Sequence, residues 1–304
     1  MQPYCSLLVL ALVAFASAAL QSPSSSPKYK TLEIKEVANV TRVTFNHPPI
    51  NLVDWELCSD LLDFLQSIQP GNRTTPPPKV VVFDSALPDF FLGHIDIKSI
   101  QQPITDEKTA LTIKYVTIAN LFNSITSTIF IAEINGRAFG AGQELSVQMD
   151  MRFAGPKAST GSFENALGLV AGGGGQLFLA SLMNRGQALE YLLGTKAFDG
   201  PTGTRLGLFN NHYHSARDLR KAVDELSSKI GLFPATGLNE TKAALSYRNP
   251  TAAALSDDVT NFYKLDQLEV QQRNVAEVIR RSKNQTHSPF ELNLPDSTLE
   301  LYGK

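Results

Sequence analysis

The decisive stretch of this sequence is Gly136-Arg137-Ala138-Phe139-Gly140-Ala141-Gly142-Gln143-Glu144. It follows a continuous apolar run, residues 129–134, which predicts a buried strand, and it leads into a helix predicted over residues 143–148. The small residues at 140–142 let the backbone turn sharply. The first amides of such a helix have no partner within it, so they can stabilise an oxygen that becomes negative during a reaction. Glu144 lies in the first turn, where its carboxylate can face the same cavity, although the segment is also typical of an ordinary strand-to-helix turn.

Two further segments combine glycine with a candidate donor or acid. Phe91-Leu92-Gly93-His94-Ile95-Asp96 follows a predicted buried strand at 80–83, and the amide of His94 is a second candidate anion donor. Gly161-Ser162-Phe163-Glu164 precedes an apolar stretch. A carboxylate among apolar residues should have a raised pKa and can act as a proton donor. Each segment alone is also typical of a plain loop or a helix start.

Hydrophobic periodicity predicts alternating strands and helices up to about residue 213 and helices alone after it. The pattern predicts an α/β fold with a helical C-terminal extension. The predicted strands are 32–37, 40–45, 80–83, 129–134, 151–154 and 208–212. The predicted helices are 52–68, 113–122, 143–148, 172–183, 186–193, 216–230, 241–247 and 257–281.

Composition and motifs exclude several classes of protein. The chain has 304 residues, of which 43% are hydrophobic and 18% charged, as in a globular protein. Lys and Arg total 27 against 29 acidic residues, which excludes a basic nucleic-acid binder. Two cysteines exclude a disulfide scaffold and a Cys-rich zinc site. The glycine run at 172–175 lacks the Lys-Ser/Thr of a P-loop. His212 and His214 have no third ligand in sight, so we expect no metal.

The N-terminus predicts a secretory signal peptide over residues 1–18, followed by a linker over 19–28. Residues 7–15 form an apolar run too short to span a bilayer, and Ala16-Ser17-Ala18 resembles a cleavage site. We therefore expect a secreted or secretory-pathway protein with no membrane anchor after cleavage. The segment before the run has no Lys or Arg, which leaves open an uncleaved extension or misread start, with a cytoplasmic, mitochondrial or peroxisomal location. Four glycosylation sequons are present, at Asn39, Asn72, Asn239 and Asn284.

Taken together and in order, these segments resemble the crotonase (enoyl-CoA hydratase/isomerase) superfamily. The resemblance implies a spiral of β-β-α units over residues 29–213 and a helical region over 214–304 that mediates oligomerisation into a homotrimer or hexamer. An apolar set in that region is expected to pack in the oligomer: Phe262, Leu265, Leu268, Val275 and Ile279. The segments that carry the resemblance are 43–51, 80–84, 91–98, 134–151, 163–175, 185–188 and 206–209.

The resemblance also implies roles for individual residues. The amides of His94 and Ala141 would form an oxyanion hole for the enolate of a thioester or related carbonyl compound, and Glu144 and Glu164 would be the acid/base pair. The family's isomerases need one carboxylate, usually that at position 164, so two favour a hydratase. No metal or redox cofactor is implied, and acyl-CoA would be the substrate. Further substrate-binding residues are implied at Gly93, Asp96, Gly140, Gly142, Gly172 and Gly173.

Five positions depart from the family pattern and predict a reshaped pocket. Ala141 replaces a glycine, His94 is larger than the common Ala or Ser, Phe163 and Ala171 replace prolines, and Leu92 replaces a small residue. Together with the predicted leader, they leave open a carbonyl substrate that is not a CoA ester. Two other functions also remain open: a hydrolase or C–C lyase that uses the same oxyanion hole, and a secreted non-catalytic binding protein of this fold.

Overall fold

The computed structural model describes residues 28–72 and 75–304. The predicted signal peptide and residues 19–27 of the predicted linker lie outside the described residues. No helix in the described ranges is long and apolar enough to cross a membrane.

The strands form two sheets. In chain order they are β1 (Leu32–Val37), β2 (Val40–Phe45), β3 (Val80–Ser85), β4 (Phe90–Leu92), β5 (Ile129–Ile134), β6 (Arg137–Phe139), β7 (Met151–Ala154), β8 (Ser159–Gly161), β9 (Ala197–Asp199) and β10 (Asn211–His212). The larger sheet has the order β1-β2-β3-β5-β7-β10, and the smaller has the order β4-β6-β8-β9. In the larger sheet β1 and β2 are an antiparallel hairpin, as predicted, and the other neighbours are parallel.

Helices follow or connect these strands. They are α1 (Trp55–Ser67), α2 (Asp106–Ser124), α3 (Ala141–Gln148), α4 (Gly175–Leu182), α5 (Arg185–Leu193), α6 (Gly200–Leu206), α7 (Ala216–Leu232), α8 (Ala235–Leu245), α9 (Ala252–Asp266), α10 (Glu269–Arg281), α11 (Pro289–Leu292) and α12 (Leu294–Ser297). Short 3-10 turns lie at Ile97–Ile100, Glu164–Leu167, Ser246–Arg248 and Thr298–Tyr302. The helix predicted over 257–281 is two helices, α9 and α10, with a break at 267–268.

The central strands β3 and β5 of the larger sheet are buried on both faces, which explains their continuous apolar sequences. Successive residues of β3 point to opposite sides. Phe83 packs with Phe122 and Phe130 on the side of α1 and α2. Val80 and Val82 pack on the other side in a cluster that includes residues of α7.

The smaller sheet positions the candidate site. Strands β4, β6 and β8 are parallel neighbours, so their carboxyl ends lie at one edge of the sheet. The three segments that sequence analysis singled out come directly after these strands, at 93–96, 140–144 and 162–164. The order of the smaller sheet therefore brings residues from three separate stretches of chain to one place.

The helical tail packs across this edge of its own chain. Phe262, Leu265, Val275 and Ile279 pack in one cluster with site residues such as Phe163. Leu268 remains exposed. Four of the five apolar residues that we expected to face a partner copy thus contact the core of their own chain, and the oligomer stays a prediction.

Candidate active site

The turn after β6 touches the loop after β4 through its backbone. A β-carbon at Gly142 would lie 2.4 Å from the carbonyl oxygens of both Leu92 and Gly93. At Gly140, φ is 52° and ψ is −121°, in a region that favours glycine. Glycine at these positions is therefore what allows the two segments that carry His94 and Ala141 to approach each other.

Both candidate oxyanion amides are available to a ligand. Ala141 is the first residue of α3, so its amide has no partner within the helix. In the described part of the chain, neither the Ala141 amide nor the His94 amide has a protein acceptor. The loop that carries His94 is itself held, because the carbonyl of His94 accepts from the amide of Val53 at 2.9 Å and the amide of Gly93 donates to Asn51 at 2.9 Å.

Glu144 is buried and accepts three hydrogen bonds. The hydroxyl of Tyr115 donates to its Oε2 at 2.9 Å, and the amides of Gly173 and Gly175 donate to its Oε1 at 2.8 and 3.2 Å. Burial and the charge of Glu164 raise the pKa of Glu144, and the Tyr115 and Gly173 donors oppose that rise. The three donors hold the carboxylate in one orientation.

Glu164 is also buried, but one of its carboxylate oxygens has no hydrogen-bond partner among the described residues. It begins the 3-10 turn Glu164–Leu167 after β8, and its carboxylate lies against Gly140, where a β-carbon would be 2.7 Å from Oε1. Its Oε2 has no hydrogen-bond partner within the described residues. Burial raises the pKa of Glu164, and backbone hydrogen bonds at Phe163 and Glu164 together with the charge of His94 offset only part of that rise.

A largely apolar cavity is lined by both glutamates and by His94 and Ala141. Helix α9 of the tail closes one side of it through Val259, Phe262 and Tyr263. Its other walls come from the segments after β4, β6 and β8, from α2, and from the glycine run. The lining includes His94, Ile97, Ile100, Tyr115, Val116, Ala141, Glu144, Phe163, Glu164, Leu167, Leu169, Gly172 and Gly173.

Some of the other predicted substrate-binding residues line the cavity, and others lie outside its lining. Gly172 and Gly173 line the cavity, and Gly140 and Gly142 form the turn beside it. Gly93 lies in the loop behind the His94 amide. Asp96 is not in the cavity lining: its Oδ1 accepts from the amide of Lys98 and from Gln285, so it holds the loop in place.

The four predicted glycosylation sites differ in their exposure. Asn39, Asn72 and Asn284 are exposed, but Asn239 is half-buried on α8. Among the described residues no three His, Cys, Asp or Glu side chains group as metal ligands would.

Several residues in and beside the site were not predicted from the sequence. Tyr115 lies on the apolar face of α2 and is typical of a core residue. Phe262 and Tyr263 come from the tail, which we expected to face a partner. Glu291, also from the tail, contacts the side chain of His94.

Comparison with known proteins identifies the family of this chain. A sequence model of the family described as enoyl-CoA hydratase/isomerase matches residues 35–284. The mitochondrial methylglutaconyl-CoA hydratase of Mus musculus is 26% identical over 173 residues, which cover 55% of this chain and 54% of the relative. A peroxisomal fatty acid beta-oxidation multifunctional protein of Arabidopsis thaliana is 27% identical over 179 residues, covering 58% of this chain and 24% of that protein. The chain thus spans about half the length of the mouse relative.

A solved structure gives a fuller match. A Streptomyces avermitilis protein assigned as an enoyl-CoA hydratase superposes with a TM-score of 0.81 at 31% identity, covering 90% of this chain and 98% of that one. The match covers both the α/β core and the helical C-terminal region. The chain belongs to the enoyl-CoA hydratase/isomerase family, the crotonase superfamily.

Proposed function

We propose that this protein is a hydratase that adds water across the double bond of an α,β-unsaturated acyl thioester. The observation that carries the proposal is the pair of buried glutamates that line one cavity beside two unpartnered backbone amides. Hydration needs one group to take a proton from water and another to give a proton to carbon. A single carboxylate suffices for moving a double bond, so a second buried carboxylate favours hydration.

The two amides supply the electrostatic part of the reaction. When water adds to the β-carbon, negative charge moves to the thioester oxygen and an enolate forms. The amides of His94 and Ala141 can donate to that oxygen at the moment its charge grows, in a site lined by apolar side chains. Donors fixed in advance stabilise the enolate without having to reorganise.

The two glutamates differ in their hydrogen bonds, and this difference assigns one as the base and the other as the acid. Glu144 accepts from Tyr115, Gly173 and Gly175, and donors to a carboxylate favour its ionised form, so we assign Glu144 as the base that deprotonates water. Glu164 has an oxygen without a hydrogen-bond partner among the described residues, so we assign it as the acid that protonates the α-carbon. Burial raises the pKa of both carboxyl groups, so the assignment rests on their hydrogen bonds and not on their pKa values. The two proton transfers balance: one carboxyl group gains a proton as the other loses one.

An assay of the purified protein against matched substrates tests this proposal. Crotonyl-CoA would be offered beside free crotonic acid and an unsaturated lactone, with formation of the 3-hydroxy product as the readout. We expect turnover of the thioester. Turnover of the free acid or lactone alone would replace the thioester by another carbonyl substrate, and cleavage without hydration would favour a hydrolase or lyase.

Removal of the Tyr115 hydroxyl tests whether Glu144 is the base. Burial raises the pKa of Tyr115, so the hydroxyl stays a donor at neutral pH. Tyr115→Phe removes one donor to the Glu144 carboxylate and therefore raises the pKa of that group further. We expect the ascending limb of the kcat/KM profile to move to higher pH by about one pH unit. Tyr263→Phe is the control, since that hydroxyl lines the same cavity but contacts Thr112. If the limb stays in place in Tyr115→Phe, Glu144 is not the base.

Two further proposals concern the compartment and the assembly of the protein. We propose entry to the secretory pathway through the N-terminal apolar run, and association into a trimer or hexamer. The mass of the mature N-terminus tests the first proposal, because an intact Met1 in the native host contradicts it. Light scattering tests the second, because a monomer alone contradicts it.

A further inference from the structure

The imidazole of His94 and the carboxylate of Glu291 form a buried pair beside the cavity. Nε2 of His94 lies 3.0 Å from Oε2 and 3.2 Å from Oε1 of Glu291, and the two side chains are 2% and 0% exposed. Nδ1 lies 2.7 Å from the carbonyl oxygen of Ile95. Both ring nitrogens are therefore engaged by the protein, so the ring has no nitrogen left for a substrate.

The acceptors around the ring decide its protonation. The Ile95 carbonyl can only accept, so Nδ1 carries a hydrogen. Burial by itself lowers the pKa of His94, but the charge of Glu291, its hydrogen bond and the charge of Asp96 raise that pKa above its ordinary value. This rise favours the protonated ring, and the contacts hold it between the Ile95 carbonyl and the Glu291 side chain. Burial raises the pKa of Glu164, and the nearby charge of His94 offsets part of that rise.

The same C-terminal segment holds the loop at two more atoms. Oε1 of the buried Gln285 accepts from the amide of Ile97 at 2.7 Å, and its Nε2 donates to Oδ1 of Asp96 at 2.6 Å. Gln285 ends a run in which Lys283, Asn284 and Gln285 have φ values of 51°, 65° and 64°. Residues other than glycine rarely adopt this left-handed region, and they stay there only where surrounding contacts fix them.

We propose that Glu291 and Gln285 form a C-terminal clamp that holds the His94 amide in register with the Ala141 amide in the oxyanion hole. The proposal rests on the function proposed above. Glu291 is a positioning residue in it, since it acts through His94 and touches no substrate. Alanine, which is common at this position in the family pattern, offers no ring to hold, so the clamp is a consequence of the histidine in this chain.

The test compares two thioesters with the same carrier and different charge at the carbonyl oxygen. Acetoacetyl-CoA enolises and places negative charge on that oxygen, whereas butyryl-CoA does not. Glu291→Ala removes the partner of His94 and frees the loop. We expect its affinity for acetoacetyl-CoA to fall about tenfold and its affinity for butyryl-CoA to be unchanged, with kcat lowered about tenfold at an unchanged KM.

Matched variants separate positioning from a general loss of structure. Glu291→Gln keeps a side chain in contact with the ring and should recover most of the loss. In a His94→Ala background, adding Glu291→Ala should cause no further loss, because no ring remains to be held. Glu300→Ala lies in the same segment, with an exposed carboxylate paired to Arg281, and should change nothing. If Glu291→Ala does not fold, Gln285→Ala should show the same selective loss.

The outcomes distinguish the clamp from the proposed function. Equal losses for both thioesters, or no loss for either, overturn the clamp. If the wild-type protein hydrates no thioester, the proposed function fails, and the affinity ratio still decides the clamp because it needs no turnover. If the wild-type protein binds neither thioester, both proposals fail.

Discussion

Replacing Glu144 or Glu164 with glutamine is expected to lower kcat for hydration about 10²-fold or more in each variant, with substrate binding little changed. Glutamine keeps the size of the side chain and removes the proton transfer. Each glutamate has one role in the proposed reaction, as base or as acid, so neither can replace the other. Steady-state kinetics of both variants on crotonyl-CoA measure the effect.

A surface glutamate provides the control for these variants. Glu190→Gln alters an exposed residue paired with Lys196 and should leave kcat unchanged. The loss of kcat in Glu144→Gln compared with that in Glu164→Gln decides between hydration and isomerisation. If only Glu164→Gln is impaired, the protein is an isomerase, and if neither is impaired, the catalytic assignment of both residues is wrong.

Gly142→Ala is expected to damage both the site and the fold. Its β-carbon would lie 2.4 Å from the carbonyl oxygens of Leu92 and Gly93, and these are backbone atoms that cannot rotate away. The turn and the loop must separate, which also separates the two oxyanion amides. We expect kcat to fall about 10²-fold and the free energy of unfolding to fall by about 1–3 kcal/mol.

A second glycine makes the matched control. Gly237 lies in α8, and a β-carbon there would meet nothing within 4 Å. Gly237→Ala should leave kcat unchanged and the protein equally or slightly more stable, since alanine favours a helix. Wild-type kinetics and stability in Gly142→Ala would show that the close approach of the two segments is not required.

The main strands of the larger sheet and the residues of the candidate site could be picked out from the sequence for physical reasons. Strands buried on both faces are continuous apolar runs, which is why β3 and β5 were recognisable. The glycines at 140 and 142 and the two glutamates were singled out because each segment combines a sharp turn with a candidate acid or donor, although none of these segments is specific alone. The order of the segments then matched a known family, which sequence periodicity alone would not have revealed.

The smaller sheet and the tail contacts were not predictable in this way. Strands β4, β6 and β8 have three residues each, too few for an alternating pattern. Glu291 follows Ser288 with the spacing of a helix capping box, so its sequence context favours a helix start. It contacts His94 across 197 residues of chain, and only the folded structure brings the two together.

The most direct test of the central claim is to follow isotopically labelled water oxygen into the product. Purified protein would be incubated with crotonyl-CoA in labelled water, and the product would be analysed by mass spectrometry. Hydration predicts label in the 3-hydroxyl group of an intact thioester, with loss of that product in Glu144→Gln. Consumption of crotonyl-CoA with no label in the thioester, or with label only in a released carboxylate, would contradict it.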